Sequence, residues 1–139
     1  MKSITIRPIV EGKKEGQAIV SQFPISFYGD VDPETGKILD KSNPLYGKSI
    51  ANKIFVFPES RGSTVGSYVI YGLQVNGVAP LGLIVETAET IVIAGAILAD
   101  IPLVDKPESN IFSEIKTGDI VQINTIKKEI VIKKRMSID

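Results

Sequence analysis

Apolar and polar positions alternate along this chain in two distinct rhythms. Short runs with period two, or with no polar interruption, predict strands. Ser3–Val10 is such a run, and Gln17–Ser21 is its expected partner across the charged turn Glu11–Gly16. Ile54-Phe55-Val56-Phe57 is an unbroken apolar run closed by Pro58. Val78–Val85 is continuous enough to be a strand covered on both faces. Ile101-Pro102-Leu103-Val104 resumes the pattern, and Ile120–Asn124 with Glu129–Lys133 forms a closing hairpin. The second rhythm is helical. From Thr64, the residues Val65, Tyr68, Val69 and Gly72 share one face, Leu73 extends it, and Asn76-Gly77 is a stop. Ala88–Ala99 is a second helix, with Thr87 as its N-cap and Glu89 in its first turn. Gly95, between Ala94 and Ala96, allows close approach to a sheet.

Two segments fit neither rhythm. Phe23–Tyr28 contains Pro24 and reads as an edge strand or extended segment. Gly29–Gly47 is a long loop rich in Gly, Pro, Asp and Asn. It is either a surface excursion or a wall or lid beside the Ser60–Ser63 turn that follows Ile54–Phe57. Hairpins at both ends enclosing two strand–helix–strand units predict an α/β protein of three layers, β/β/α, because the hairpins need a layer of their own. The 139 residues suit one domain, 1–139.

Composition narrows the chemistry. Lys+Arg and Asp+Glu both number 16, so no net field recruits nucleic acid or a membrane surface. The basic residues Lys127, Lys128, Lys133, Lys134 and Arg135 are interrupted by Glu129 and fit a solvated hairpin edge. The chain contains no cysteine and no histidine. It therefore has no disulfide, no thiolate for zinc or an iron–sulfur cluster, and no imidazole base. No metal site is expected in it. The absence of a signal sequence and of an apolar run of membrane-spanning length predicts a cytoplasmic location.

The candidate working surface is the junction Ile54–Gly77, a strand, a glycine-containing loop and a helix. Such a junction aims backbone N–H groups and the positive end of a helix at one small space, where an anion is stabilised. Ser60, Arg61, Gly62, Ser63 and Thr64 lie in that loop. Arg61 offers a planar cation for a carboxylate or phosphate. Gly62 lets a ligand approach the backbone. Ser60 or Ser63 is either a helix cap or, for Ser63, a base or nucleophile whose alkoxide these surroundings stabilise.

FPESRGSTVGSYV and LIVETAETIVIAGAILADIPLVDK, with SFYGDVDPETGKILD, NPLYGKSI and TGDIVQIN, resemble the swivelling domain of the aconitase X family over nearly the whole chain. The resemblance implies a β/β/α swivelling domain of the aconitase type. It implies a hydro-lyase active only with a separate large subunit, which carries a 4Fe-4S cluster; this chain binds no cofactor itself. It implies Ser63 as the proton acceptor, with Ser60, Arg61, Gly62 and Thr64 around a small phosphorylated hydroxy acid. The implied reaction is loss of water from (R)-5-phosphomevalonate to give trans-anhydromevalonate 5-phosphate. Two alternatives stand beside it: a hydroxyproline-type dehydratase of the same family, and a non-catalytic anion-binding module.

Overall fold

Residues 1–134 are described by the computed structural model. They form β1 (Lys2–Thr5), β2 (Arg7–Val10), β3 (Lys13–Val20), α1 (Phe27–Asp30), β4 (Ile54–Phe57), α2 (Gly66–Val75), β5 (Gly82–Val85), α3 (Thr90–Ala99), β6 (Leu103–Asp105), α4 (Ile111–Glu114), β7 (Ile120–Asn124) and β8 (Glu129–Lys133). The strands lie in one 8-stranded mixed sheet, ordered β1-β8-β7-β3-β4-β5-β6-β2.

β3 is where the sheet changes character. Its first part, Lys13–Gln17, pairs antiparallel with β7, and its last part, Ala18–Val20, pairs parallel with β4. β4, β5 and β6 continue in parallel, and β2 closes antiparallel on β6. The antiparallel part lies across one face of the parallel part, and the two long helices cover the other. This arrangement explains why β4 and β5 are apolar at every position. Phe55, Phe57, Leu83 and Val85 pack toward Ile70, Leu73, Val92 and Ala96 of the helices. Ile54, Val56 and Ile84 pack toward Ile4, Val121, Ile123, Ile130 and Ile132 of the antiparallel strands. A strand buried on both faces has no solvent side to mark with polar residues. The expected three β/β/α layers are therefore present.

Several expectations need correction. Ser3–Val10 is two strands rather than one: Ile6 is the crossing point, β1 pairing with β8 and β2 with β6. Gln17–Val20 of the expected strand Gln17–Ser21 belongs to β3, which pairs with β7 and β4 and forms no hairpin with the first strands. Only Gly82–Val85 of the run Val78–Val85 is strand. The proline-bearing segment contributes one bridge, Ile25 to Ser60, and a distorted helical turn in which Gly29 has φ +105°. The N-cap of α3 is Glu89, and no side chain caps that helix end.

The expected face of α2 is only partly the buried one: Leu73 is buried and Val69 packs against the core. The buried side of α2 carries Gly66, Ser67, Ile70 and Leu73, while Val65 and Tyr68 are exposed. The partner of that side is α3, and Gly95 is the point of contact. It faces α2, not the sheet. A Cβ at Gly95 would lie 2.6 Å from Ile70 Cδ1 and 2.8 Å from Ile70 Cβ. Gly95→Ala is expected to lose about 1–2 kcal/mol in denaturant unfolding, because overpacking outweighs the better helix propensity. An unchanged unfolding midpoint would show that the helices separate without cost.

The loop from Gly29 to Gly47 is not a loose excursion. Val31, Ile38 and Leu45 enter the helix-side core. The loop is tied to the end of α2 where Asn76 Nδ2 donates to Pro33 O at 2.8 Å. Within it, hydrogen bonds from Ser42 hold the Asp40 carboxyl below its usual range. The basic hairpin edge is solvated and paired: Lys133 Nζ lies 2.7 Å from Glu15 Oε1 and Lys134 Nζ 3.2 Å from Asp119 Oδ2. Arg135 lies outside the described residues. Among the described residues, no helix is long and apolar enough to cross a membrane.

Candidate active site

The parallel strands deliver their following loops to one edge of the sheet, as parallel sheets do. After β4 the chain turns through Pro58–Val65 into α2, and after β5 through Glu86–Glu89 into α3. The two loops are joined, since Pro58 O accepts from Glu86 N at 3.0 Å and Thr87 N at 3.3 Å.

Ser60 lies beneath the turn. It is only 1% exposed. Its backbone N–H donates to Glu89 Oε1 at 2.9 Å and its hydroxyl to Glu89 Oε2 at 3.2 Å. On the opposite side the chain pairs with Ile25, whose N–H donates to Glu59 O at 3.0 Å and whose carbonyl accepts from Arg61 N at 2.9 Å. Residue 60 is thus held from both sides, and its hydroxyl is committed to Glu89 instead of facing a ligand.

Beyond that anchor the chain emerges. Arg61, Gly62, Ser63 and Thr64 are all exposed. The Arg61 side chain, 68% exposed, has Nη2 at 4.0 Å from Glu59 Oε1, the outer limit of an ion pair. An exposed contact of that length leaves the guanidinium's other donors available. Gly62 has φ +91°, and a Cβ there would collide with the Ser26 hydroxyl, so only glycine fits. Ser63 Oγ accepts from Val65 N at 3.1 Å, and Ser63 O accepts from Gly66 N at 2.9 Å. Among the described residues, the Ser63 hydroxyl donates to nothing. It receives an N–H just ahead of the first turn of α2. Hydrogen bonds received by oxygen, together with a helix's positive end, favour its ionised form. Thr64 faces solvent, and its carbonyl accepts from Ser67 Oγ at 3.0 Å.

The aconitase X swivel-domain model matches residues 3–132. This chain belongs to the aconitase X swivel family. A phosphomevalonate dehydratase small subunit from Thermococcus kodakarensis is 52% identical over 126 residues, covering 91% of this chain and 92% of that one. The protein of the same name from Methanosarcina acetivorans is 49% identical over 118 residues, 85% of this chain and 82% of its own. The crystal structure of Thermococcus kodakaraensis aconitase X in its holo-form superposes with a TM-score of 0.91 at 49% identity, covering 96% of this chain and all of that one.

The residues present do not fit an iron–sulfur cluster. The chain has no cysteine, and among the described residues no group of carboxylates is placed to hold a metal ion. Cluster chemistry, where the family uses it, needs ligands from elsewhere.

Another part of the swivel domain supports the turn, through residues that no local pattern in the chain links to it. Asp105, fully buried at the end of β6, takes Arg7 Nε and Nη2 on its two oxygens at 2.8 Å each. This pairing raises the Arg7 guanidinium above its ordinary value, through the hydrogen bond first and the charge second. Asp105 Oδ2 also accepts from Ala88 N at 2.9 Å. It thereby fixes the residue next to Glu89. These contacts join positions up to 98 apart in the chain, a separation at which no spacing rule signals a pair.

Proposed function

We propose that this chain, a swivel domain over 1–139, is the small subunit of a two-subunit dehydratase. The complex removes water from (R)-5-phosphomevalonate to give trans-anhydromevalonate 5-phosphate, and Ser63 is its proton acceptor. The observation that carries this reading is the state of the Ser63 hydroxyl, which is exposed, receives the Val65 N–H, and donates to no group among the described residues. Relatives named as small subunits of phosphomevalonate dehydratase support the substrate and the need for a larger partner.

In this reading the substrate lies between the subunits with its carboxylate end toward the turn. Arg61 and the exposed N–H groups around Gly62 bind the negative oxygens. Ser63 Oγ, as alkoxide, takes the proton from the carbon beside the carboxylate. The electron pair of that C–H bond becomes the new double bond, and the hydroxyl on the neighbouring carbon departs on the large subunit's side. A general base in this position contributes a factor of about 10²–10⁴ in rate. The large subunit is read as the holder of a 4Fe-4S cluster.

The direct test is reconstitution. The chain is mixed with the dehydratase large subunit and offered (R)-5-phosphomevalonate or hydroxyproline, and loss of water is followed by mass spectrometry. Turnover of phosphomevalonate only when both subunits are present is the expected result. Turnover of hydroxyproline alone would move the assignment to the other branch of the family. A large subunit whose rate ignores this chain would leave the turn as an anion-binding module.

A further inference from the structure

Glu89 opens α3, yet its carboxylate caps no N–H of that helix. It reaches instead across to the β4–α2 loop and takes both donors of Ser60, the backbone N–H at 2.9 Å and the hydroxyl at 3.2 Å. Ser60 is 1% exposed, so this pair of bonds sits under the turn rather than in solvent. A carboxylate at the start of a helix is stabilised by the helix's positive end, and a charged acceptor makes stronger bonds than a neutral one. The carboxylate is held in turn. Its neighbour Ala88 is fixed through N–H donation to the buried Asp105, itself gripped by Arg7.

We infer that Glu89 is a positioning residue for the proposed dehydration: it fixes the height and direction at which the turn presents Ser63, without touching substrate. This inference rests on the reading of Ser63 as proton acceptor. The geometry behind it is specific. Between Ser60 and Ser63 stand only Arg61 and Gly62, and Gly62 adopts φ +91°. A chain with a glycine in that region has no side-chain constraint of its own, so the direction of Ser63 is set jointly by the anchor at Ser60 and by the bonds Ser63 itself receives from Val65 N and Gly66 N. One side of that anchor is the backbone pairing with Ile25. Among the described residues, the other side is Glu89 alone. Removing it frees the turn to shift toward Ile25, and displacement of a reacting group by about 1 Å can cost on the order of 100-fold in rate.

The test uses the reconstituted complex with Glu89→Ala and Glu89→Gln, reading kcat and KM separately, together with amide hydrogen exchange of residues 58–66 in the full chain. Glutamine retains an oxygen for the Ser60 N–H and offers an N–H to the Ser60 hydroxyl, so it keeps the position and discards the charge. The expected result is a kcat lowered about 10- to 100-fold in Glu89→Ala with KM held within about threefold, faster exchange in 58–66, and recovery to within about threefold of wild type in Glu89→Gln. Wild-type kcat in Glu89→Ala would overturn the inference. So would a Glu89→Gln variant as slow as Glu89→Ala, because the charge and not the position would then matter. Should Ser63→Ala turn over normally, the base reading fails by itself. Exchange then decides the clamp: acceleration in Glu89→Ala supports it, and no change overturns it.

Discussion

Ser63→Ala, assembled with the large subunit, is expected to lose about 10²- to 10⁴-fold in kcat while the complex still forms. The size of the effect separates two roles of one oxygen. As an acceptor for the Val65 N–H at 3.1 Å it has a capping role, and deleting a cap costs about 1 kcal/mol of stability. As a base it has no imidazole or thiolate to replace it: the chain has no histidine and no cysteine, and the neighbouring Ser60 hydroxyl is buried against Glu89. A fall in kcat far beyond that cap's worth, with thermal unfolding changed by only a few degrees, supports the catalytic role. Near-normal turnover in the assembled enzyme rejects it and leaves the cap.

The second large effect lies directly beneath the turn. Phe57 is fully buried, with its ring centroid 4.7 Å from that of Phe55 and 5.7 Å from that of Phe27, the latter in an edge-on arrangement. Phe57→Ala is expected to lower stability by about 3–5 kcal/mol, the transfer and cavity cost of a large buried side chain, with lost ring contacts included. That is a large share of a domain's usual 5–15 kcal/mol or so. Phe57→Leu, which leaves a smaller void, provides a folded comparison with a loss of about 1–2 kcal/mol. Urea unfolding measures both, and a loss below about 1.5 kcal/mol for the alanine variant would mean that the surrounding helices collapse into the space. Because Phe57 leads straight into Pro58 and the anchored turn, turnover should fall with stability in the alanine variant.

What the sequence disclosed follows from how local each feature is. β4, β7 and β8 were readable to the residue, because each is a short apolar or alternating run between turn formers. The stop of α2 was readable from Asn76-Gly77, and Gly77 indeed has φ +72°. The buried side of α2 was not, because GSYVIYGLQV has apolar residues all round. Spacing then cannot choose a face, and the choice is made by the close approach of Gly95 to Ile70. The division of Ser3–Val10 at Ile6 was invisible for a related reason. Both halves have strand character, and only their distant partners, β8 and β6, place them in different layers. The site shows the same boundary. The Ser60–Thr64 turn is marked by Pro58 just ahead of it and by Ser60, Gly62 and Ser63 within it, whereas its fastening to Glu89, 29 positions away, leaves no local trace.

The strand order has a consequence for synthesis on the ribosome. β1 and β3, made first, find their antiparallel partners only in β8 and β7, at the far end of the chain. A nascent chain can pair β3 with β4 early, but Ile54, Val56 and Ile84 lack the cover of Val121, Ile123, Ile130 and Ile132 until residues 120–133 emerge. Each unfinished chain therefore holds an apolar sheet surface open to its neighbours, the condition under which newly made proteins associate wrongly or recruit chaperones.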